Sequence, residues 1–438
     1  MPQASSDAID VAIIGAGITG LTMARYAKAS GLSALVFDKA DTAGGLWAQL
    51  PSWQDIQFRA EDWSLNGIPI RGVTQPHILE NINALIPHYE LEDMLRLGHA
   101  VTGVRWDGET WTLTTPRGSF VARNIVVATG LHNKPRTPEV ADSGFEGEAH
   151  HSFSFQHPET LRGQNVTVVG GSASAYDLLE LALEHQAARI DWVYRGLHWM
   201  VPSSRQKHEK SVHRSYALSQ MWGLELEKLN AATNKMLKDK YAYFSIEEIM
   251  PSYDFDYRYH SIIPGRPIMI EHFQSLRRYH GTLRALDGNQ ATVALIDGGK
   301  ARFDTDVVLY GTGYDLDLDF LQLPEYTGMR TGRELRARCR RMIASVDYPG
   351  LYFLGAPLLD GNGTTPWGVS IMARTITMLI QSGTTLSGQP IVDNVNHWDL
   401  LELFAPVDRV HYKPLLWKPQ YLATAFWYWW RNDQLINI

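Results

Sequence analysis

The sequence predicts an α/β fold of two Rossmann-like dinucleotide-binding domains, one inserted into the other. Three observations predict it. A β-branched run ends in a glycine-rich turn, Asp10-Val-Ala-Ile-Ile-Gly15-Ala-Gly17-Ile-Thr-Gly20. A second run does the same far downstream, at Val166-Thr-Val-Val-Gly170-Gly171-Ser172-Ala173-Ser174-Ala175. Strands ending near glycine then return at 307–310 and 351–355, as though the chain re-enters the first domain after completing the second.

Each element has a local reason. Residues 9–14 are a mostly β-branched run, apolar but for Asp10, the pattern of a strand buried on both faces. A helix follows over 21–30, and the strand 33–37 ends at Asp38, completing a βαβ unit. Residues 111–115 and 120–128 read as strands flanking the turn at Arg117-Gly118, with Pro135 and Pro138 as breakers beyond. A strand over 165–169, a helix over 174–184 and a strand over 189–194 form the second βαβ unit. Residues 205–260 are charged, aromatic and helix-prone, a helical insertion without a dinucleotide pattern. Strands return at 291–296 and 307–310, and a helix over 370–381 follows the strand at 351–355. The predicted boundaries are 1–155 with 303–438 for the outer domain and 156–302 for the inserted one.

Composition narrows the function. With 438 residues, 45% hydrophobic and 20% charged, the chain supports two or three globular domains. A net charge of −7 argues against a nucleic-acid partner, which calls for a basic patch or stripe. The single cysteine, Cys339, excludes an internal disulfide and a Cys-x-x-Cys redox pair, and is read as a bystander thiol. Histidines lack metal spacing such as H-E-x-x-H, so no metal is expected. The N-terminus has no positive n-region, and no stretch has the ~20 apolar residues of a membrane span. The cytoplasm is the default compartment. The aromatic stretch Ala425-Phe-Trp-Tyr-Trp-Trp430 is read as packing against the body or a second subunit, leaving a homodimer open, rather than as a foot on a membrane.

The turns carry the chemistry. Gly15 allows the tight turn, Gly17 lets backbone approach a pyrophosphate, and Gly20 lets helix pack on strand. The helix N-terminus then offers N–H groups and a positive dipole to phosphate. Asp38, 18 residues beyond Gly20 at a strand end, suits ribose hydroxyls. Gly44-Gly45-Leu46-Trp47 would let backbone pass close to a cofactor, with Trp47 shielding it. The second turn has Ser172 at the middle position and Ala175 at the third, with Gly170 and Ser174 beside them. No acid ends its next strand. Tyr194-Arg195 does, with Arg205 and Lys207 beyond, which suits a 2′-phosphate and therefore NADPH rather than NADH.

Between the turns lies Phe145-Glu-Gly147-Glu-Ala-His-His151-Ser-Phe-Ser-Phe155. This pattern, together with both turns, resembles the fingerprint of the class B flavoprotein monooxygenases, the flavin-containing and Baeyer–Villiger monooxygenases. Ala128-Thr129-Gly130 and Gly311-Thr312-Gly313-Tyr314 resemble that family's two strand-end motifs, and Gly44-Gly45-Leu46-Trp47 its flavin-side glycine pair. The resemblance covers about residues 9–355. It implies an NADPH domain inserted into an FAD domain, with Thr129, Gly130 and Gly313 at the strand ends that join them. It also implies that NADPH reduces FAD and that O2 adds to form a C4a-(hydro)peroxyflavin, which passes one oxygen atom to a small organic substrate.

The fingerprint ends Phe155-Gln156, closer to the flavin-containing monooxygenases than to the Baeyer–Villiger pattern of tryptophan followed by proline or aspartate. Oxygenation of nitrogen or sulfur is therefore the expected reaction, with Baeyer–Villiger oxidation of a carbonyl as the alternative. Gln57, Arg59 and Asn66 are the candidates for catalytic positions near the flavin. His151 is read as a structural residue between domains. Two further readings stay open: an NADPH-dependent flavin reductase or oxidase without oxygen transfer, and a non-enzymatic flavoprotein if Ser172 spoils the second turn. The aromatic residues of 205–260, among them Trp222, Tyr241 and Phe255, suit either an apolar substrate surface or a packed subdomain.

Overall fold

The computed structural model describes residues 8–56, 68–203, 226–356, 366–383, 386 and 390. The chain divides into two compact units, Met1–Lys134 with Asp315–Ile438, and Pro135–Tyr314.

The first unit is built on a mainly parallel sheet. Strand β1 (Ile9–Ile14) is followed by helix α1 (Ile18–Ala29) and strand β2 (Ala34–Phe37). β1 pairs in parallel with β2 on one side and with β3 (Gly118–Val127) on the other. Strand Leu351–Phe353 extends the sheet beyond β3, and Leu95–Arg96 extends it beyond β2. The alternation of a strand explains why β1 is apolar on both faces from Val11 to Ile14. Val11 and Ile13 join one buried cluster with Leu21, Met23 and Ala24 of α1, whereas Ala12 and Ile14 join another with Phe37 and Leu316. Helix Pro366–Ser382 covers α1's side through Met372, Ala373 and Ile376, and the Gln381 amide donates to the Ser30 carbonyl at 2.8 Å.

The second unit repeats the motif. An edge strand β4 (Glu148–His151) precedes β5 (Asn165–Val169), α2 (Ala173–Glu184) and β6 (Arg189–Tyr194). Helix α3 (Leu226–Tyr243) belongs to the insertion, and β7 (Arg277–Gly288) and β8 (Val307–Tyr310) complete the parallel core. The parallel strand order is β7–β6–β5–β8–β4, with Gln290–Leu295 and Lys300–Asp304 added antiparallel outside β7.

Both βαβ units fall where the sequence predicts, with three differences. Helix α1 starts at Ile18 rather than Leu21, because Gly20 sits inside its first turn. The long strand β7 has no sequence counterpart above; it alternates exposed Arg284 with buried Leu283 and Leu286, interrupted by a register shift that breaks the period of two. The units divide at 134/135 and 314/315, not at 155/156 and 302/303, because β4 and β8 pair with each other, Val307–Glu148 through Tyr310–His151, inside the second unit's sheet. Among the described residues, no helix is long and apolar enough to cross a membrane.

Candidate functional site: two dinucleotide turns

The first turn lies at the carboxyl ends of β1 and β2, where open α/β sheets bind ligands. Gly15 has φ +112°, and a Cβ there would come within 2.6 Å of the Ala128 carbonyl oxygen. A Cβ on Gly20 would overlap the Gly15 carbonyl oxygen, so the third glycine is what lets α1 close on the turn. Gly17 is the N-cap of α1. No side chain caps the helix there and no acid occupies its first turn, which leaves this end to an anion. The glycine pair is built against the same turn. The Gly44 N–H donates to the Ala16 carbonyl at 2.9 Å. A Cβ on Gly45 would lie 2.9 Å from the Gly17 Cα.

Asp38 sits where the sequence places it, and its carboxylate is engaged. One oxygen accepts the Ala16 N–H at 2.6 Å and the other the Ala40 N–H at 2.9 Å, so Asp38 ties the turn to the segment after β2. Leu46 and Trp47 lie in a short 3-10 turn, Gly45–Ala48, with Trp47 half-buried against the α1-side cluster. Thr129 and Gly130 follow β3 beside β1; the Thr19 hydroxyl donates to the Ala128 carbonyl at 2.9 Å, and Gly130 has φ +77°. The structure thus brings Gly15, Gly17, Gly20, Asp38, Gly44, Gly45, Leu46, Trp47, Thr129 and Gly130 to one sheet end.

The second turn has the same plan with different contacts. Gly170 has φ +142°, and a Cβ there would overlap the Gly311 carbonyl oxygen. Ser172 is the N-cap of α2 at φ −135° and makes no capping hydrogen bond, and no acid lies in the helix's first turn. The departure from glycine therefore strains nothing: the backbone is extended and the helix end stays open to phosphate. Ala175 is fully buried and faces Gly311, whose own Cβ would lie 2.9 Å from that of Ala175. Ser174 lies beside it in the first turn of α2. Arg195 is exposed just past β6.

Two further glycines, Gly171 and Gly311, are required here. A Cβ on Gly171 would overlap the Gly196 carbonyl oxygen, and Gly311 makes room for Ala175. The doublet Gly170-Gly171 was the available signal for the first of these.

The fingerprint is structural. A Cβ on Gly147 would overlap the Asp306 carbonyl, so this glycine lets β4 lie against β8. His151 is buried; its Nε2–H donates to the Gly313 carbonyl at 3.0 Å while Nδ1 accepts the Phe153 N–H at 3.0 Å. Those partners fix a neutral tautomer, and burial lowers its pKa below the ordinary value of 6.5. The Gly313 carbonyl also accepts the Arg136 N–H, so Gly313 anchors this loop by its backbone. Phe155 is buried with its ring 5.3 Å from that of His150.

Gln57, Arg59, Asn66, Arg205, Lys207 and Trp222 lie outside the described residues, as does the 425–430 stretch. In the insertion, Tyr241, Phe255 and Tyr257 are buried among themselves and Trp199, and the Tyr241 hydroxyl accepts the Met200 N–H. Those three are the core of a packed subdomain. Cys339 is fully buried, and burial pushes its thiol pKa well up, which leaves it unreactive.

Residues 12–248 match the family described as pyridine nucleotide-disulphide oxidoreductase. The chain belongs to the pyridine nucleotide-disulphide oxidoreductase family. Monooxygenase aurF of Gibberella zeae is 26% identical over 79% of this chain and 72% of its own length. A Baeyer–Villiger monooxygenase of Streptomyces coelicolor is 26% identical over 51% of this chain, which spans only 47% of that relative. The solved structure of OTEMO in complex with FAD and NADP has a TM-score of 0.66 at 17% identity, over 86% of each chain. These relatives agree with the resemblance that the motifs carry, and the solved structure shares the α/β fold of this chain.

Proposed function

We propose that this chain is a flavin monooxygenase that places one atom of O2 on a nitrogen or sulfur of a small organic substrate, the other leaving as water with the electrons of NADPH. The observation that carries it is the pair of open helix N-termini, one in each unit, on a chain whose single cysteine is buried. Two dinucleotides fit, and there is no dithiol to receive the electrons.

FAD fits the first unit. Gly15, Gly17 and Gly20 admit its pyrophosphate to α1, and Asp38 exchanges a backbone N–H for ribose hydroxyls. Gly44 and Gly45 admit the backbone near it, Leu46 and Trp47 shield it, and Thr129 and Gly130 border it. NADPH fits the second unit, with Gly170, Ser172, Ser174 and Ala175 at the phosphates, Arg195 toward the 2′-phosphate, and Gly313 at the strand end. Gln57, Arg59 and Asn66 remain the candidates for the flavin's reacting side. When bound, FAD supplies the redox and oxygen chemistry; these residues bind, orient and exclude water.

The preference for a heteroatom rests on Phe155-Gln156. A second reading, Baeyer–Villiger oxidation, is favoured by the Streptomyces relative. The test is turnover of the FAD-loaded protein with NADPH and 18O2 on tertiary amines, thioethers and cyclic ketones, with products weighed by mass spectrometry. A labelled N- or S-oxide supports the proposal, and a labelled lactone moves it to the carbonyl reading. NADPH oxidation that yields only hydrogen peroxide across the panel overturns both.

A further inference from the structure

We propose that His280 is a positioning residue that fixes Arg195 for the adenosine 2′-phosphate and so sets the preference for NADPH over NADH. The inference rests on the reading of the second unit as the NADPH domain.

The argument begins with register. β6 and β7 run parallel, pairing Asp191 with Arg277 through Tyr194 with His280, so Tyr194 and His280 reach the carboxyl edge of the sheet side by side. Their rings stack, centroids 5.3 Å apart with planes inclined by 19°. Tyr194 is buried and holds the position where an NADH-binding unit carries its acid; His280 is exposed on the outer side of that ring. The His280 Nε2 lies 2.9 Å from the Arg195 carbonyl oxygen. A carbonyl only accepts, so Nε2 carries the hydrogen and donates.

The same short segment is fastened to the phosphate turn from its other side. The Trp192 indole donates to the Gly170 carbonyl at 2.8 Å, and the His198 N–H donates to the Gly171 carbonyl at 3.0 Å. Gly171 has no side chain to hold Gly196 away. Arg195 therefore sits on a bridge pinned to the pyrophosphate turn at one face and to His280 at the other. An arginine is a long, rotamer-rich side chain, and a fixed backbone origin is what turns its charge into a directed contact. His280 supplies that origin.

The test is calorimetric titration of the full-length, FAD-loaded protein with adenosine 2′,5′-bisphosphate and with 5′-AMP, which differ only in the 2′-phosphate. His280→Phe keeps a ring on Tyr194 and loses the donor; His280→Gln loses the ring and keeps a donor. The expected result is that His280→Phe loses about tenfold of the preference for the bisphosphate, and His280→Gln retains most of it. Arg195→Ala removes the preference, and Arg195→Ala with His280→Phe binds no worse than Arg195→Ala alone. A His280→Phe protein with the parental preference overturns the inference, as do losses that multiply in the double variant. A parental protein with no preference for the bisphosphate overturns the NADPH reading of the second unit and this inference with it.

Discussion

At the third position of its turn the first unit has a glycine and the second an alanine, and the room for each is made in a different place. In the first unit the helix closes directly on the turn, so Gly20 faces the Gly15 carbonyl and has no space for a Cβ. In the second, α2 keeps its methyl group and the neighbouring strand end yields instead, through Gly311. The middle positions differ in what packs against them. Gly17 and Ser172 both lie in extended backbone, but the first has Gly45 packed on it, where a Cβ would come within 2.9 Å of the Gly17 Cα. A turn motif thus records the packing around the turn as well as the ligand within it.

Substitutions sharpen this contrast. Gly20→Ala is expected to have the largest effect, lowering unfolding free energy by about 3 kcal/mol and emptying the protein of flavin. Denaturation followed by flavin absorbance measures it, and a stable, flavin-loaded variant would break the comparison. Gly171→Ala, at the corresponding crowded point of the second unit, should weaken NADP+ binding by about 2 kcal/mol and leave flavin content intact. Loss of flavin instead would mean the two units do not fail separately. Asp38→Ala removes an acceptor of two backbone N–H groups and should weaken FAD by about tenfold with no change in adenosine 2′,5′-bisphosphate binding; equilibrium titration of the apoprotein reads both.

His151 gives a pH signature. Burial depresses its folded pKa below 6.5, so between that folded value and 6.5 the unfolded chain binds the extra proton. Stability is complete above about 6.5 and falls as pH drops through that window, and His151→Gln should flatten the slope in urea denaturation. The smallest effect belongs to Ser172→Gly, which should change NADP+ affinity by less than about threefold. A large gain there would mean that Ser172 obstructs the turn.

Much of this was legible in the sequence. Both βαβ units and most of the residues at the two sheet ends follow from β-branched runs ending in glycine, because a parallel core strand leaves no polar alternation to confuse the reading. The division between units was not legible to within twenty residues, since strand pairing between 148–151 and 307–310 has no local signature. Asp38's grip on Ala16, the partners that Gly171 and Gly311 make room for, and His280's hold on Arg195 were hidden for the same reason. Each is a contact between segments far apart in the chain, and local composition does not encode it. His151 was legible only as structural; its partners come from the fold.

The pairing of β4 with β8 also bears on the order of synthesis. The second unit is one uninterrupted stretch, 135–314, so its sheet has every strand available once residue 310 has left the ribosome. The first unit must wait longer, because residues 125–127 of β3 have their outer neighbour only when residues 351–353 arrive, while residues 118–122 are already paired with Trp111–Thr115. Until then the edge of Ile125-Val126-Val127 is a short unpaired, apolar template of the kind that recruits other chains. The inserted unit is complete before its host, and the end of one early host strand passes the interval without its neighbour.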